Sequence, residues 1–382
     1  MGVMGDSVQV QKGLEGVVAD TTAVSFVDGD GGHLYYRGQP IETLIKHSFA
    51  EVLHLVVFGE LPDRQRLQEV EEYLWAAGRL PPELATSLRE LARHGEHPMA
   101  TLQSITPLLA LEPPAVSLGR NALEEEGLLV AARVPAAIGL IHAALEDHLE
   151  RPYPSSRRYG ERFLQLMHDG IPTPEQVKAF EITQILQLDH SFNAGTFAAR
   201  VVSSTLAPPS AALSAAIGAL FGPLHGGADQ HALEMALEVG SPQQAQAFVA
   251  NCLATGRLVM GMGHREYRVV DPRARVIRAT AQQIAKSGQP KQLFEVLVAI
   301  DEAFAEQTRT RKRALKANLE FYKGVVYLAL DIPKELFTAC FAAARIFGWV
   351  AHVVEQRQDN RLIRPTALYV GPPPQTAPPE TA

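Results

Sequence analysis

The sequence predicts an almost all-α protein with one short β-hairpin near its N-terminus. Beyond residue 40, apolar residues recur three and four positions apart, which is the spacing of the buried face of a helix. Proline or glycine stands at most joints between these periodic segments, as at residues 80–82 and 170–172. Strand-like runs are scarce outside residues 13–38, so we expect helices to form nearly the whole core.

The N-terminal hairpin is predicted from alternation around a glycine-rich turn. Residues 13–38 alternate apolar and polar positions around Asp-Gly-Asp-Gly-Gly at 28–32. Residues 25–27 before the turn and 33–36 after it are therefore predicted to be paired strands. The Asp-Gly-Asp piece resembles part of a calcium loop. Because the remaining ligands and the closing glutamate are missing, a simple turn is predicted instead.

The helical period predicts fourteen further segments in order along the chain. The first five cover residues 41–59, 63–77, 82–93, 99–111 and 121–149. The next six cover residues 174–188, 193–204, 208–220, 226–239, 242–255 and 273–287, and the last three cover 291–308, 321–330 and 333–355. From about residue 371 the chain is proline-rich, which predicts a disordered or extended tail, with partner binding as the alternative.

The composition indicates a soluble globular protein. Apolar residues make up 46% and charged residues 20% of the 382 residues, which is enough for about two domains with a large core. The net charge of −7 argues against a nucleic-acid partner, because nucleic-acid binding calls for a basic face. The longest apolar stretch, residues 134–145, is too short to span a bilayer, which needs about twenty residues. No membrane partner is therefore expected.

The compartment is predicted from the N-terminus and the cysteines. The N-terminal segment lacks the basic-then-apolar form of a secretory signal. Only two cysteines occur, Cys252 and Cys340, and each lies inside an apolar helical run. They are predicted to be buried small hydrophobes in a reducing compartment. We expect a cytoplasmic protein.

Two histidines in glycine-rich stretches, followed by a lone carboxylate, are the strongest functional signal. His225 lies in Gly-Pro-Leu-His-Gly-Gly, His264 ends Met-Gly-Met-Gly-His, and Glu320 lies in Asn-Leu-Glu-Phe-Tyr. Glycine beside a histidine lets a ligand approach both the backbone and the ring. Two neutral imidazoles could donate to two carbonyl oxygens while a carboxylate removes a neighbouring proton. The apolar and aromatic neighbours of Glu320 should raise the pKa of its carboxyl and make it a better base. The pattern favours a site that forms carbon–carbon bonds.

Taken one by one, these residues have plainer interpretations. His225 could be a turn histidine, and the arginines that follow His264 could form a solvated face instead of a carboxylate clamp. Glu320 could be a surface glutamate, and His190 by itself would be structural. Metal binding is not supported, because His225 and His231 lack a helical i, i+4 spacing and a nearby cysteine pair. The glycines before His264 do not form a dinucleotide fingerprint either.

Taken together, the motifs resemble the citrate synthase family along nearly the whole chain. They are Leu-Asp-His at 188–190 with Asn193 behind it, Gly-Pro-Leu-His-Gly-Gly at 222–227, Met-Gly-Met-Gly-His at 260–264, Asp-Pro-Arg at 271–273, Gly-Trp-Val-Ala-His at 348–352 and Asn-Arg-Leu-Ile-Arg-Pro at 360–365. The resemblance implies a two-domain citrate synthase-like helical fold. Residues 1–226 would form the first part of a large domain, residues 227–331 a small domain that closes over the active site, and residues 332–382 the return of the large domain with its tail.

The resemblance also implies the roles of the site residues and the partners. His264 matches the histidine that polarises the ketone of oxaloacetate, and His225 matches the histidine that hydrogen-bonds the thioester oxygen of acetyl-CoA. His190, Arg273 and Arg345 match the carboxylate binders, and Asn193 belongs to the same substrate segment. Arg364 matches an arginine that reaches in from the partner subunit. The implied assembly is a homodimer with a shared active site, or a higher homo-oligomer.

A coenzyme A thioester is expected as co-substrate, with no metal and no permanently bound cofactor. Arg311 and Lys312, in a basic stretch before Glu320, could pair with the phosphates of coenzyme A, although a solvated basic helix end is an equal alternative. Met262 and Gly263, just before His264, are the other residues that we expect to contact the coenzyme.

One catalytic position departs from the family. The family carries aspartate as general base, in a segment resembling Asn-Val-Asp-Phe-Tyr, whereas this chain has Glu320. The extra methylene moves the carboxylate by about 1 Å if the backbone is unchanged, and such a misplacement can cost on the order of 100-fold in rate. The backbone could have shifted so that Glu320 still acts as base. Alternatively, the chain could be a 2-methylcitrate synthase that uses propionyl-CoA, or a weakly active paralogue with a binding or assembly role.

The first of these interpretations is favoured, because every other matched catalytic position is intact. We therefore expect a citrate synthase, which condenses acetyl-CoA with oxaloacetate to give citrate and CoA, and whose turnover Glu320 could reduce.

Overall fold

The computed structural model describes residues 10–95, 97–147, 151–310 and 315–372. Within these ranges the chain forms sixteen α-helices and one small sheet, which confirms the predicted almost all-α fold. The sheet is antiparallel in the order β1 (Ser25–Asp28), β2 (His33–Tyr36) and β3 (Gln39–Pro40). The predicted hairpin of residues 25–36 is thus confirmed. The third strand has only two residues, which is too short to show a period in the sequence.

The first ten helices precede the motif that contains His225. They are α1 (Ile41–Leu44), α2 (Phe49–Phe58), α3 (Arg64–Ala77), α4 (Pro82–His94), α5 (Pro98–Ile105), α6 (Ala122–Leu145), α7 (Tyr159–Met167), α8 (Pro174–Gln187), α9 (Ala194–Ser204) and α10 (Pro209–Phe221). The remaining six are α11 (Ala228–Val239), α12 (Ala245–Thr255), α13 (Pro272–Ile284), α14 (Gly288–Gln307), α15 (Leu319–Ala329) and α16 (Phe337–Gln358).

Two helix predictions clearly differ from the structure, and a third helix was not predicted. The predicted helix 41–59 is interrupted after α1, because Ser48 caps α2 and forms a capping box with Glu51. The predicted helix 99–111 ends at Ile105 and continues as the 3₁₀ turn Thr106–Ala110, where Pro107 cannot donate a backbone hydrogen bond. The nine-residue α7 was not predicted, because it is short and follows a proline- and serine-rich segment.

Helix α16 lies at the centre of the first group of helices. It packs against α2, α6, α8, α9 and α10, and almost all of its residues are buried. Ala122–Leu145 and Lys334–Gln358 are each long and apolar enough to cross a membrane by length and composition alone. In both segments about nine tenths of the apolar window is covered by the protein itself. Cys252 and Cys340 are buried free thiols, as predicted.

Helices α11 to α15 pack mainly on one another. The contacts join α11 and α13 to α15, and α12 to α14. Both α13 and α15 also touch α8, which is the element that leads to His190. This contact places the His264 loop and the start of α15 beside the end of α8. The division into a large domain and a small domain of residues 227–331 stays a prediction.

Candidate active site

The loop that carries His264 is bonded to the segment that begins α15. The backbone N–H of Asn318 donates to the carbonyl of Gly261 at 2.9 Å, and its side-chain amide donates to the carbonyl of Gly263 at 2.8 Å. The side-chain oxygen of Asn318 in turn accepts from the N–H of Glu320 and caps α15. One asparagine therefore fixes the position of the loop relative to Glu320.

Glycine is required at position 261 for this close approach. Its φ of +77° lies in the left-handed region, and a Cβ there would meet Cα of Phe321 at 2.9 Å. Real Cβ atoms essentially never approach backbone so closely, so any other residue would push the loop away from α15.

His264 is neutral, and the surrounding backbone fixes its tautomer. Nδ1 accepts from the backbone N–H groups of Glu266 at 3.1 Å and Tyr267 at 3.4 Å, so the ring proton is assigned to Nε2. Burial lowers the pKa of His264 to about 4, and the Arg273 guanidinium acts in the same direction. Nε2 lies 3.2 Å from Nη2 of Arg273. In this tautomer Nε2–H and the guanidinium are both donors, so an anionic ligand that accepts from both would relieve their close contact.

Arg273 is held in this orientation by Asp271. Its Nε and Nη2 atoms donate to the carboxylate at 3.0 and 2.9 Å, and its backbone N–H donates to the same group at 2.9 Å. Burial alone would raise the pKa of Asp271, but the Arg273 guanidinium outweighs it and the pKa is lowered. The carboxylate thus holds the guanidinium in a fixed position beside His264.

His190 and Tyr267 complete this side of the site. The ring of His190 lies 5.1 Å from that of His264, and its Nε2 lies 3.2 Å from the hydroxyl oxygen of Tyr267. Burial lowers the pKa of His190 well below its ordinary value, and the Arg273 charge adds to this effect. The structure therefore brings together three of the residues predicted from the sequence, His190, His264 and Arg273, and adds Tyr267.

A second group of polar side chains surrounds the ring of Phe341 on α16. The ring of His225 lies 6.5 Å away edge-on, Nζ of Lys323 lies 4.4 Å from the ring centre, and Cζ of Arg345 lies 4.8 Å from it. Arg345 donates through Nε to the backbone carbonyl of Gln187. Burial lowers the pKa of Arg345 to about 10, so the guanidinium stays charged at neutral pH.

His225 offers a buried nitrogen to this group. Nε2 is shielded from solvent and has no hydrogen-bond partner within the described ranges of the chain. Burial lowers the pKa of His225 to about 4, and the Arg345 charge acts in the same direction, so the ring is neutral at pH 7. Leaving a buried polar atom unpaired is costly. The nitrogen is therefore suited to meet a polar atom of a ligand.

Glu320 lies in a buried network of charges. Its Oε2 is 2.6 Å from Nζ of Lys323, one helical turn further along α15. Nζ also lies 3.2 Å from Oδ2 of Asp229 and donates to Oε1 of Gln187 at 2.6 Å. Burial raises the pKa of Glu320, the Lys323 ammonium opposes this rise, and the Asp229 carboxylate adds to it. The predicted direction of the pKa shift is confirmed.

The other predicted site residues lie elsewhere or outside the described ranges. Asn193 caps α9: its Oδ1 accepts from the N–H of Thr196 and its Nδ2 donates to the Thr196 hydroxyl, so contact with a substrate stays a prediction. Arg364 is exposed, donates to the carbonyl of Pro365 and has no contact with the cluster in its own chain. Met262 and Gly263 lie on the loop before His264. Arg311 and Lys312 fall outside the described residues.

Four polar residues of the site were not predicted from the sequence, namely Gln187, Asp229, Tyr267 and Lys323. Only one had a clear local signal: Lys323 follows Glu320 by three positions in a helix, which places both side chains on one face. Within the described ranges, no group of three or more His, Cys, Asp or Glu residues could hold a metal ion.

Comparisons with known proteins all match citrate synthases, and the matches extend over nearly the whole chain. A family model described as the citrate synthase C-terminal domain matches residues 13–366. The citrate synthase of Synechocystis sp. is 36% identical over 377 residues, which cover 97% of this chain and 93% of that protein. The crystal structure of citrate synthase from Pyrobaculum aerophilum superposes with a TM-score of 0.87 at 33% identity, covering 96% of this chain and 94% of the other. The ternary complex of Thermoplasma acidophilum citrate synthase with carboxymethyl coenzyme A and oxaloacetate gives a TM-score of 0.88 at 27% identity, covering 97% and 99%.

Proposed function

This chain belongs to the citrate synthase family, its activity is that of a citrate synthase, and we propose that His225, His264 and Glu320 carry the reaction. The observation that supports these roles is the combination of two neutral, partly buried imidazoles with a partly buried carboxylate whose pKa is raised. The substrates are acetyl-CoA and oxaloacetate, and the products are citrate and CoA.

In the first step Glu320 takes a proton from the methyl carbon of the acetyl thioester. The electron pair of the broken C–H bond becomes the carbon–carbon double bond of an enolate, and negative charge moves to the thioester oxygen. The proton on the neutral His225 ring donates a hydrogen bond to that oxygen. A preorganised donor of this kind, in a site shielded from water, is among the largest contributions to such a step.

In the second step the enolate carbon attacks the ketone carbon of oxaloacetate. The new carbon–carbon bond forms as the ketone double bond opens, and the Nε2–H of the neutral His264 donates a hydrogen bond to the developing alkoxide. The alkoxide then gains one proton, which balances the proton that Glu320 removed and returns Glu320 to its carboxylate form. Arg273 and Arg345 pair with the two carboxylates of oxaloacetate, and His190 donates a further hydrogen bond. Water then cleaves the citryl thioester to citrate and CoA, after a closed state has protected the intermediate from solvent.

The remaining binding residues belong to the same proposal. Met262 and Gly263 line the approach of coenzyme A to His264, and Arg311 and Lys312 pair with its phosphates. Arg364 reaches the oxaloacetate site of the partner subunit in a homodimer. The exposure of Arg364 and its hydrogen bond to the neighbouring Pro365 carbonyl leave the side chain accessible to a second subunit, which supports this arrangement.

The test is release of the CoA thiol by the purified, unmodified protein. Oxaloacetate is supplied first with acetyl-CoA and then with propionyl-CoA at equal concentration, and omission of oxaloacetate controls for simple thioester hydrolysis. We expect oxaloacetate-dependent release that is faster with acetyl-CoA. Faster release with propionyl-CoA would identify a 2-methylcitrate synthase, and a folded protein with no release would have a binding or assembly role instead.

A further inference from the structure

The side chain of Lys323 is fully buried beside the proposed base and has no part in the reaction steps given above. Its ammonium group faces three oxygen atoms, from Glu320 on its own helix, Asp229 on α11 and Gln187 on α8. The ammonium donates to the amide oxygen of Gln187, and the two carboxylates lie 2.6 and 3.2 Å away as ion-pair partners. A buried lysine is costly unless it is paired in this way, and such a costly group at a catalytic carboxylate is a candidate for function.

The position of Lys323 constrains where the Glu320 carboxylate can go. Lys323 lies one turn further along α15, and its ammonium is 2.6 Å from the Glu320 carboxylate. The ion pair therefore restrains the orientation of the Glu320 side chain.

Asp229 has a separate part in the balance of charge. With both carboxylates ionised, Glu320, Lys323 and Asp229 together carry one net negative charge. When Glu320 takes up a proton, Lys323 and Asp229 remain as a neutral buried pair. The lysine is therefore never left as an uncompensated buried cation during turnover, which would be strongly unfavourable.

We propose that Lys323 is a positioning residue that holds the Glu320 carboxylate at the reacting carbon, and that Asp229 keeps Lys323 in place while Glu320 carries the proton. This inference rests on the proposed function for its catalytic meaning. It also explains how a glutamate works in a site where the family carries aspartate.

The proposal predicts opposite changes from two substitutions. Glu320 must be ionised to act as base, so the rate rises with pH through its pKa. Lys323→Met removes a neighbouring positive charge, which should raise that pKa and move the acid limb of the kcat profile to higher pH by about one unit or more. Asp229→Asn removes a neighbouring negative charge and should move the acid limb to lower pH. A purely structural role would not give shifts of opposite sign.

The other charged and titratable groups near Glu320 must be considered in this experiment. They are Arg273 on α13 and Arg345 on α16, whose charges act on Glu320, and Cys340 on α16, which feels the charges of Lys323 and Asp229. None of them is changed by either substitution, so their effects are common to all variants. Lys334→Met is the matched control, because Lys334 also pairs with a glutamate on α11, Glu234, but at the surface. Its profile should coincide with that of the unmodified protein.

The measurement is kcat and kcat/KM for CoA release between about pH 5 and pH 9, together with infrared titration of the carboxyl band that Glu320→Gln removes. Shifts that are absent, or of the same sign in both variants, would overturn the proposal. If Lys323→Met does not fold, the shift of the acid limb to lower pH in Asp229→Asn tests the proposal alone. If the unmodified protein releases no CoA, the proposed function fails, and the infrared titration still shows whether Lys323 and Asp229 control Glu320.

Discussion

At position 320 the chemistry depends on the partner of the side chain as well as on its length. The carboxylate of Glu320 is 2.6 Å from Lys323, and Asp229 and Gln187 fix the other side of that lysine. A glutamate paired with a buried lysine one turn away places its carboxylate differently from an unpaired aspartate at the same position. The consequences of this pairing can be measured with single substitutions.

Glu320→Asp is expected to lower kcat by about 10- to 100-fold, although it restores the residue of the family. The shorter side chain withdraws from Lys323 and misplaces the carboxylate by about 1 Å. CoA release at saturating substrate measures the effect, and the KM for oxaloacetate should be little changed. A rise in kcat would show that Glu320 reaches the substrate without the help of Lys323. Glu320→Gln serves as the control without a base.

His225→Ala is expected to lower kcat by about 100- to 1,000-fold, because it removes the hydrogen-bond donor for the enolate oxygen. Oxaloacetate affinity should be unchanged, since the proposed contact of His225 is with the thioester oxygen and not with oxaloacetate. Calorimetric titration with oxaloacetate checks this, and His264→Ala, which should weaken that binding, is the comparison. Equal loss of oxaloacetate affinity in both variants would contradict the separation of roles.

The pKa values of the two histidines add a prediction about pH. Both pKa values lie at about 4, so both rings stay neutral from pH 5 upward. Any acid limb of the kcat profile above pH 5 should therefore come from Glu320, whose pKa is raised by burial. The limb should keep its position in His225→Gln, measured with acetyl-CoA at saturation. If it moves, His225 itself titrates in this range.

At the scale of elements, the site depends on contact between the His264 loop and α15. Gly261→Ala should cost about 2 to 4 kcal/mol of unfolding free energy, because a left-handed φ is combined with overlap on Phe321. Gly256→Ala is the matched control: its φ is +75° with nothing within 4 Å, so about 1 kcal/mol is expected. Denaturant unfolding and kcat are measured for both. Equal costs would show that the contact with Phe321 is unimportant.

The elements were predictable where their signals are local. The hairpin follows from its turn glycines, and most helices follow from apolar periodicity and bounding prolines. The capping box of Ser48 and Glu51 is also a local signal, and it would have divided the predicted helix 41–59. By contrast, α7 and the two-residue β3 are too short to show a period. Tertiary packing has to stabilise such elements.

The site residues were also predictable only where their signals are local. His225, His264 and Glu320 stand in distinctive local motifs, so the sequence indicates them. Gln187 and Asp229 meet Lys323 only because α8, α11 and α15 pack together, with up to 136 positions between the partners. No local pattern encodes such a contact. The buried charge network around the proposed base could therefore be found only from the structure.

At the scale of the whole molecule, α16 belongs both to the hydrophobic core and to the candidate active site. It is buried along nearly its whole length and carries both Phe341 and Arg345 into the site. The chain then continues to Arg364, which is exposed and donates to the neighbouring carbonyl of Pro365. We propose that this side chain binds oxaloacetate in the site of a second subunit.

Subunit complementation tests this arrangement. Arg364→Ala and His264→Ala should each be nearly inactive alone, whereas co-expressed chains should recover about a quarter of wild-type activity. Random pairing gives about half hybrid dimers, and one of the two sites in each hybrid combines an intact His264 with an intact Arg364 from the other subunit. Co-expression of His225→Ala with His264→Ala is the control: both residues serve the site of one chain, so neither site of a hybrid is complete. Recovery in the control, or none in the test pair, would show that Arg364 does not act across the interface.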